Sequence, residues 1–430
     1  GMVSMALLSS CNDEWDSHYE SDGGVPGVSL MDLLRRDSRL EKFCQIIEKT
    51  HGDTLLSSTQ TYTVWAPRNE ALADVDMDDM DALRRLVKNH IARYTNPSST
   101  SPEKKIYMLN NKIMSFKDSN RFMDASIEEK DMLAQNGVLH VLREQIPYQF
   151  NILERMATDA NYSKVYDFIT RWNQKNYDPG LSTAYDSVFV DYNPMLESLG
   201  YGIGLLDNED SLYTMIIPDN AAWDEAMARL QPYFKPGSKL TGDALIAYQD
   251  SASESRAGQA ILAGLTFPGV KFQNAQGEFV DPVTWDSLYT VDRHLLYKKD
   301  LQAYFNGYDL EKASNGYMYL AHGHLNMADT CTWNLPVKVE GENSYYTIKD
   351  LALSSAIRTT TDYSAVQGVS GNAYLEMSAS NNNTGVTFKL PQVLAGKYEI
   401  WVDYVPPIID GVAKKTRICL LYTSDAADDK

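Results

Sequence analysis

The stretch DVDMDDMD (residues 74–81) places carboxylates at Asp74, Asp76 and Asp78, the opening spacing of a loop that wraps a calcium ion in hard oxygen ligands. Such a loop needs glycine at its sixth position and glutamate at its twelfth, where this chain has Asp79 and Arg85. The run therefore reads as a solvated helix start, with acids favoured by the helix dipole. His322 and His324, with Cys331 nearby, are ligand types that a soft metal takes, but they follow a β-type run and read as a strand end or hairpin. GYGIGL (200–205) carries Leu205 where a dinucleotide fingerprint needs Gly or Ala, and reads as a loop. G-x-S-x-G, H-E-x-x-H and P-loop motifs are missing. Carboxylates are plentiful, yet no pair is singled out for glycoside chemistry. No catalytic residue, metal or cofactor is assigned, and the chain reads as a non-enzyme.

Charge narrows the partners. The 430 residues carry a formal net charge of −19, and a nucleic-acid binder needs a basic face, so nucleic acid is excluded as the expected partner. Hydrophobic residues make up 43%, ample for packed cores, and the length suggests two to four domains. Cys11, Cys44, Cys331 and Cys419 lie far apart and outline no disulfide framework. No apolar run reaches the roughly 18–20 residues of a spanning helix.

Cys11 has a different chemistry in prospect. Val3 to Leu8 read V-S-M-A-L-L, followed by Ser9-Ser10-Cys11, which resembles the end of a bacterial lipoprotein signal. That resemblance implies a lipidated Cys11 as the first residue of the mature protein. NDEWDSHYESDGGVPG (12–27) is polar, acidic and Gly-rich, as a tether is, and Asp13, Glu14 and Asp16 resemble the surface-export pattern of Bacteroidetes lipoproteins. Ten residues precede Cys11 without a Lys or Arg, so the signal reads as truncated at its start. The competing reading of 3–11 is a short buried segment.

The elements that position everything else form a repeat. TYTVWAPRNEAL (61–72) is echoed by LYTMIIPDNAAW (212–223), with Tyr62 and Tyr213 offset by 213 − 62 = 151. QNGVLHVL (135–142) is echoed by SNGYMYLA (314–321), offset by 315 − 136 = 179. SLMDLLRRDSRLEKFCQII (29–47) parallels NILERMATDANYSKVYDFI (151–169), offset by 151 − 29 = 122. Order is kept while the offset grows, so two insertions of just under thirty residues are expected within 170–210 and 235–300. Residues 29–47 have the apolar spacing of an amphipathic helix, breaking near Asp37-Ser38. YTVWAP reads as a strand ended by Pro67, with Asn69 suited to cap a short helix EALADV. NGVLHVL opens with a turn signal and continues as a strand.

YTVWAPRNEAL, the His90 of LVKNHIARY (86–94), MLNNKIMSF (108–116) and NGVLHVLREQIP (136–147) resemble, in order, the successive motifs of a fasciclin (FAS1) domain. His90 stands where that family often has a Tyr-His pair, with Asn89 in place of the tyrosine. The resemblance implies an α+β chain with two tandem fasciclin-like modules, each a β-sandwich wedge with helices packed on one side. Residues 1–27 are then signal remnant and tether, 28–148 the first module, and 149–333 the second with its insertions. An adhesive or ligand-binding role outside the cytoplasm is implied, without an enzyme site.

Beyond residue 334 the pattern turns to strands. TGVTFKLPQV and GKYEIWVDYVP alternate apolar and polar residues, and 334–418 reads as an all-β sandwich, cut short. AGKYEIWVDY faintly resembles late strands of jelly-roll carbohydrate-binding modules. CLLYTSDAAD (419–428) reads as a translated transposon-end sequencing adapter, so 419–430 is expected to be an artefact. The insertion at 171–202 is rich in Tyr, and such flat rings with polar edges suit protein and sugar partners equally. The expectation is a lipid-anchored outer-membrane surface protein that binds an extracellular protein or glycan and touches the membrane only through its anchor. An accessory glycan-binding lipoprotein of a polysaccharide-uptake system is the alternative, and a hydrolase with an unrecognised carboxylate site the third reading.

Overall fold

A computed structural model describes residues 27–99, 104–180, 187–197, 202–275, 277–327, 348–352, 357–360, 374–377, 385–388, 394–403, 405 and 408–413. Cys11, residues 12–26 of the tether, Cys331 and 419–430 lie outside the described residues, as does most of 334–418. The chain mixes helix and sheet and divides into two compact units. The first comprises 1–151 with 207–211 and 313–315, and the second 152–206, 212–312 and 316–430.

The first unit opens with three helices, α1 (Leu30–Arg36), α2 (Glu41–Lys49) and α3 (Asp53–Leu56). The expected break between the first two is present: the Asp37 carboxylate accepts the Arg39 N–H at 2.9 Å and starts a 3-10 turn. Ser29 and Asp32 close a reciprocal capping box on α1. Helix α4 (Met80–Asn89) begins at Asp79, whose carboxylate accepts the Asp81 and Ala82 N–H groups at 3.1 and 2.9 Å. One carboxylate of the acidic run is thus a helix cap.

Strands β1 (Tyr62–Pro67), β2 (Ile91–Arg93), β3 (Ile106–Tyr107), β4 (Ile113–Met114), β5 (Phe116–Asp118), β6 (Arg121–Phe122), β7 (Ala125–Ala134) and β8 (Gly137–Leu142) follow in chain order. They build a sheet in the order β2-β1-β8-β7-β6-β5, with β3 and β4 as a separate pair. The central pair β1–β8 is parallel, and every residue of both strands is buried. Strands buried on both faces need continuous β-formers rather than alternation, which accounts for YTVWAP and GVLHVL. Val64, Ala66, Leu139 and Val141 face the helices, while Trp65 and Leu142 face Phe116, Phe122, Ile106 and Met114. Trp65 stacks on Phe122 at 4.1 Å between ring centres.

Asn69 departs from expectation. The turn Asn69–Leu72 has Arg68 at its cap position, without a side-chain bond. The Asn69 amide instead accepts from the Lys42 N–H at 2.9 Å and donates to the Ser38 carbonyl at 2.8 Å, joining the strand exit to the α2 entry. Asn220 makes the same two bonds, to the Lys164 N–H and the Ala160 carbonyl, each at 2.9 Å. Asn69→Ala is expected to lower unfolding free energy by about 1–2 kcal/mol, because two backbone groups lose their partner. Urea titration measures it, and an unchanged midpoint would remove Asn69 from the frame.

The second unit repeats the central register. It contains β9 (Gln174–Tyr177), β10 (Phe189–Tyr192), β11 (Tyr213–Pro218), β12 (Thr266–Pro268), β13 (Ser287–Tyr289), β14 (Leu295–Tyr297), β15 (Asp309–Ala313) and β16 (Gly316–Ala321). Its main sheet runs β12-β11-β16-β15, with Tyr213 opposite Gly316 as Tyr62 is opposite Gly137. Helices α5 (Ile152–Ala157), α6 (Ser163–Thr170), α7 (Asn220–Leu230), α8 (Gly242–Leu265) and α9 (Lys298–Phe305) accompany it.

The second insertion sits at the start of its expected window. From Thr63 to its partner Ala92 the chain advances 92 − 63 = 29 positions, but from Thr214 to Phe267 it advances 267 − 214 = 53. From Arg93 to Gly137 it takes 137 − 93 = 44, and from Pro268 to Gly316 only 316 − 268 = 48. The added chain is therefore almost all on the helical side before β12, where α8 runs for 24 residues.

In the C-terminal region, 348–352 pairs with 385–388 and 357–360 with 374–377, both antiparallel. The strand expected at 398–404 is not formed over its described part: residues 396–403 are irregular and exposed. Alternation marks a strand only where a neighbour offers its backbone, and none pairs with this segment among the described residues.

Candidate binding surfaces

His90, the residue at the Tyr-His position, is fully buried just after α4. Its Nδ1–H donates to the Leu86 carbonyl at 2.8 Å, and its Nε2 accepts the Ile146 N–H at 3.0 Å, which fixes the neutral tautomer. The buried Asn89 amide donates to the Ile146 carbonyl at 3.1 Å and accepts from Asn110 at 3.0 Å. Asn89 and His90 therefore grip both backbone groups of one residue. Burial pushes the His90 pKa down to about 4, since protonating Nε2 would place a charge in an apolar site and evict its donor. His140 has the same character: it stacks on Trp65 at 5.6 Å, meets the Asn96 carbonyl at 3.0 Å, and burial lowers its pKa. Both imidazoles hold the fold and offer no free lone pair for proton transfer.

Two surfaces are open to partners. In the first unit a solvent-open groove runs between α4 and the 145–150 segment, lined by Asp76, Arg85, Asn89, Gln145, Tyr148 and Phe150. Beside the buried, already bonded Asn89, it combines an acid, a base, an amide and two rings. In the second unit β9 and β10 form a hairpin in which Phe189 stands directly opposite Tyr177. Their rings meet edge to face at 5.8 Å, and both side chains stay more than half exposed.

The hairpin belongs to the aromatic insertion, but the insertion is not a detachable loop. Met195, Leu196, Ile203 and Leu206 are buried, and the buried Asn193 donates to the Ile169 carbonyl at 2.9 Å and to Asn173 at 2.8 Å. Among the described residues, Met195, Leu196, Ile203 and Leu206 after β10 are core, while Tyr177 and Phe189 of the hairpin face outward. The other candidates separate. His322 meets Asp309 at 2.9 Å and His324 meets Glu225 at 3.4 Å, so the two imidazoles turn to different carboxylates beyond the end of β16. Residues 202–205 carry no helix or strand. Cys44 is buried and free, its thiol pushed up chiefly by burial. Among the described residues no helix is long and apolar enough to cross a membrane, and no group of three His, Cys, Asp or Glu side chains is placed to hold a metal.

Sequence reading overlooked the partner of Asn89 and the ion pair of Lys112 with Glu209, buried within the first unit at 2.6 Å. The partners lie 57 and 97 positions away, beyond any local pattern.

Residues 38–146 match the family model described as the fasciclin domain. No curated protein matches the chain. Among solved structures the chain is similar, at 15% identity and a TM-score of 0.23, to a FAS1 domain pair from the insect cell adhesion molecule Fasciclin I; the match covers 68% of this chain and 98% of that one.

Proposed function

We propose that this chain is a lipid-anchored protein of the outer membrane that binds an extracellular protein or glycan through two tandem fasciclin-like modules, 28–148 and 149–333, without catalysing a reaction. The observation that carries the proposal is the fasciclin match over 38–146, a domain type associated with cell adhesion and binding. The shared register of β1–β8 and β11–β16, with the paired Asn69 and Asn220 bonds, supports the second module. The anchor rests on Cys11 and the acidic tether after it. With the signal restored, a radioactive fatty acid is expected to label the wild type and not Cys11→Ala. Equal labelling of both would sink the anchor.

The Tyr177–Phe189 pair is the surface assigned to the partner. A Tyr177→Ser, Phe189→Ser double variant is expected to keep the wild-type unfolding midpoint, since both rings are exposed, and to lose cell-surface binding about tenfold or more. Undiminished binding would move the surface to the groove beside α4. A glycan-reading role for the C-terminal region is favoured by one observation: Tyr398 and Trp401 are exposed, Trp401 at 85%. Glycan-array binding that disappears on deleting 334–418 would establish it in place of protein adhesion.

A further inference from the structure

Three asparagines of this chain stand directly before a glycine: Asn136, Asn306 and Asn315. In such a pair the backbone nitrogen of the glycine can attack the asparagine Cγ, because no Cβ shields it. The bond from Cγ to the side-chain nitrogen breaks, ammonia leaves with the glycine proton, and a cyclic imide remains in the backbone. Water then opens the ring at either carbonyl. The product is an aspartate, or its isomer in which the main chain runs through the side chain.

The fold suppresses this chemistry at two of the pairs. Asn136 is buried, and its amide accepts the Leu30 N–H at 2.8 Å and donates to the Leu56 and Ser58 carbonyls at 2.7 and 3.0 Å. Asn315 is also buried, and its amide donates to the Asn208 carbonyl at 3.3 Å. Gly137 and Gly316 are the first residues of β8 and β16, paired with Tyr62 and Tyr213. Neither glycine can swing onto the preceding side chain until its strand opens. Asn306 stands differently. It follows α9, both it and Gly307 are exposed, and its side-chain amide makes no hydrogen bond among the described residues. Gly307 lies at φ +78° with open space around it. One restraint is present: the Asn306 carbonyl accepts from the Asn326 side-chain amide at 2.6 Å, and the Asn326 N–H donates to the Tyr308 hydroxyl at 2.6 Å. From the observed ψ of 137°, ring closure requires rotation about the Asn306 Cα–C bond, which carries that carbonyl off Asn326.

We propose that, of the three pairs, Asn306-Gly307 is the site of spontaneous deamidation in the folded chain, and that the Asn326 amide restrains its rate. The reaction needs water alone and releases ammonia. It sets a new carboxylate just past the C-terminal end of α9, the end of a helix where negative charge is disfavoured. The isomer also lengthens the backbone between α9 and β15. The proposal does not rest on the adhesive reading.

Ageing of the full chain in mildly alkaline buffer, followed by peptide mapping in a mass spectrometer, tests it. The amide-to-acid mass gain is read separately at Asn136, Asn306 and Asn315. In the folded chain Asn306 is expected to convert about a hundredfold faster than the other two, which must await local opening. In urea the three should convert at similar rates, which separates the fold from the sequence. Asn326→Ala is expected to speed conversion of Asn306 about fivefold, the worth of one hydrogen bond. Asn326→Asp, which keeps the size and removes the donor, should act in the same direction; circular dichroism checks that both variants fold. Conversion of Asn136 or Asn315 as fast as Asn306 in the folded chain would overturn the proposal. So would an intact Asn306 after the urea sample has reacted. An unchanged rate in both Asn326 variants would overturn the restraint.

Discussion

A Gly137→Ala variant is expected to lose the cooperative fold of the first unit. Gly137 opens β8 at φ +144°, and a Cβ added there would lie 1.8 Å from the Tyr62 carbonyl oxygen on β1. The obstacle is backbone, so no side chain can turn away; the parallel pair at the centre of the sheet must separate. The loss is on the order of 4 kcal/mol or more, a large part of the roughly 5–15 kcal/mol that holds a domain. Gly27, at φ +100° with open space around its Cβ position, supplies the control. There alanine meets only conformational strain, about 1 kcal/mol. Gly316 faces the Tyr213 carbonyl at 1.7 Å in the second unit, so Gly316→Ala should remove the second transition and leave the first. Circular dichroism in urea measures both, and a Gly137→Ala midpoint equal to that of Gly27→Ala would refute the close approach.

The second large effect is the pH dependence set by His90. Its unfolded value is the ordinary 6.5 and its folded value about 4, so the unfolded chain binds the extra proton. Stability is therefore full above about pH 6.5 and falls as pH drops toward 4. The gap between the two values corresponds to roughly 3 kcal/mol from this one buried ring. His140, lowered for the same reason, adds in the same direction. Carboxylates that their partners hold low, such as Asp37 beside Arg39 and Glu128 beside Arg68, lose their contribution lower on the pH scale. Comparison with His90→Gln isolates the ring. That variant is expected to be less stable at pH 7 and to show a flatter fall between pH 6.5 and 4.5. If its slope matches the wild type, His90 does not remain neutral in the fold.

Periodicity made the elements of the fasciclin-type region legible from the chain alone. The apolar spacing of 29–47 and its break at Asp37 became α1, a 3-10 turn and α2, because helix faces and caps are set by neighbours within four residues. YTVWAP and GVLHVL were readable as strands because burial on both faces demands an unbroken run of β-formers. The growing offsets likewise located the added chain, since counting needs no coordinates.

What the motif residues do could not be read that way. Asn136-Gly137 looks like a turn signal, and a hairpin does form there, but β7 and β8 are joined by Gln135 and Asn136, with Gly137 already in the strand. Asn136 accepts from the Leu30 N–H at 2.8 Å and donates to the Leu56 carbonyl at 2.7 Å, 106 and 80 positions away. Gly137 is required by the Tyr62 carbonyl, not by the turn. Asn69 resembled a cap and proved to be a bridge; Asn89 and His90 resembled a site and proved to be a clasp on Ile146. Which described residues of the aromatic insertion are core was decided in the same way. Local pattern reports which face of an element is apolar, whereas an amide, an imidazole or a guanidinium takes its role from whatever backbone or charge the folded chain brings within about 3 Å of it.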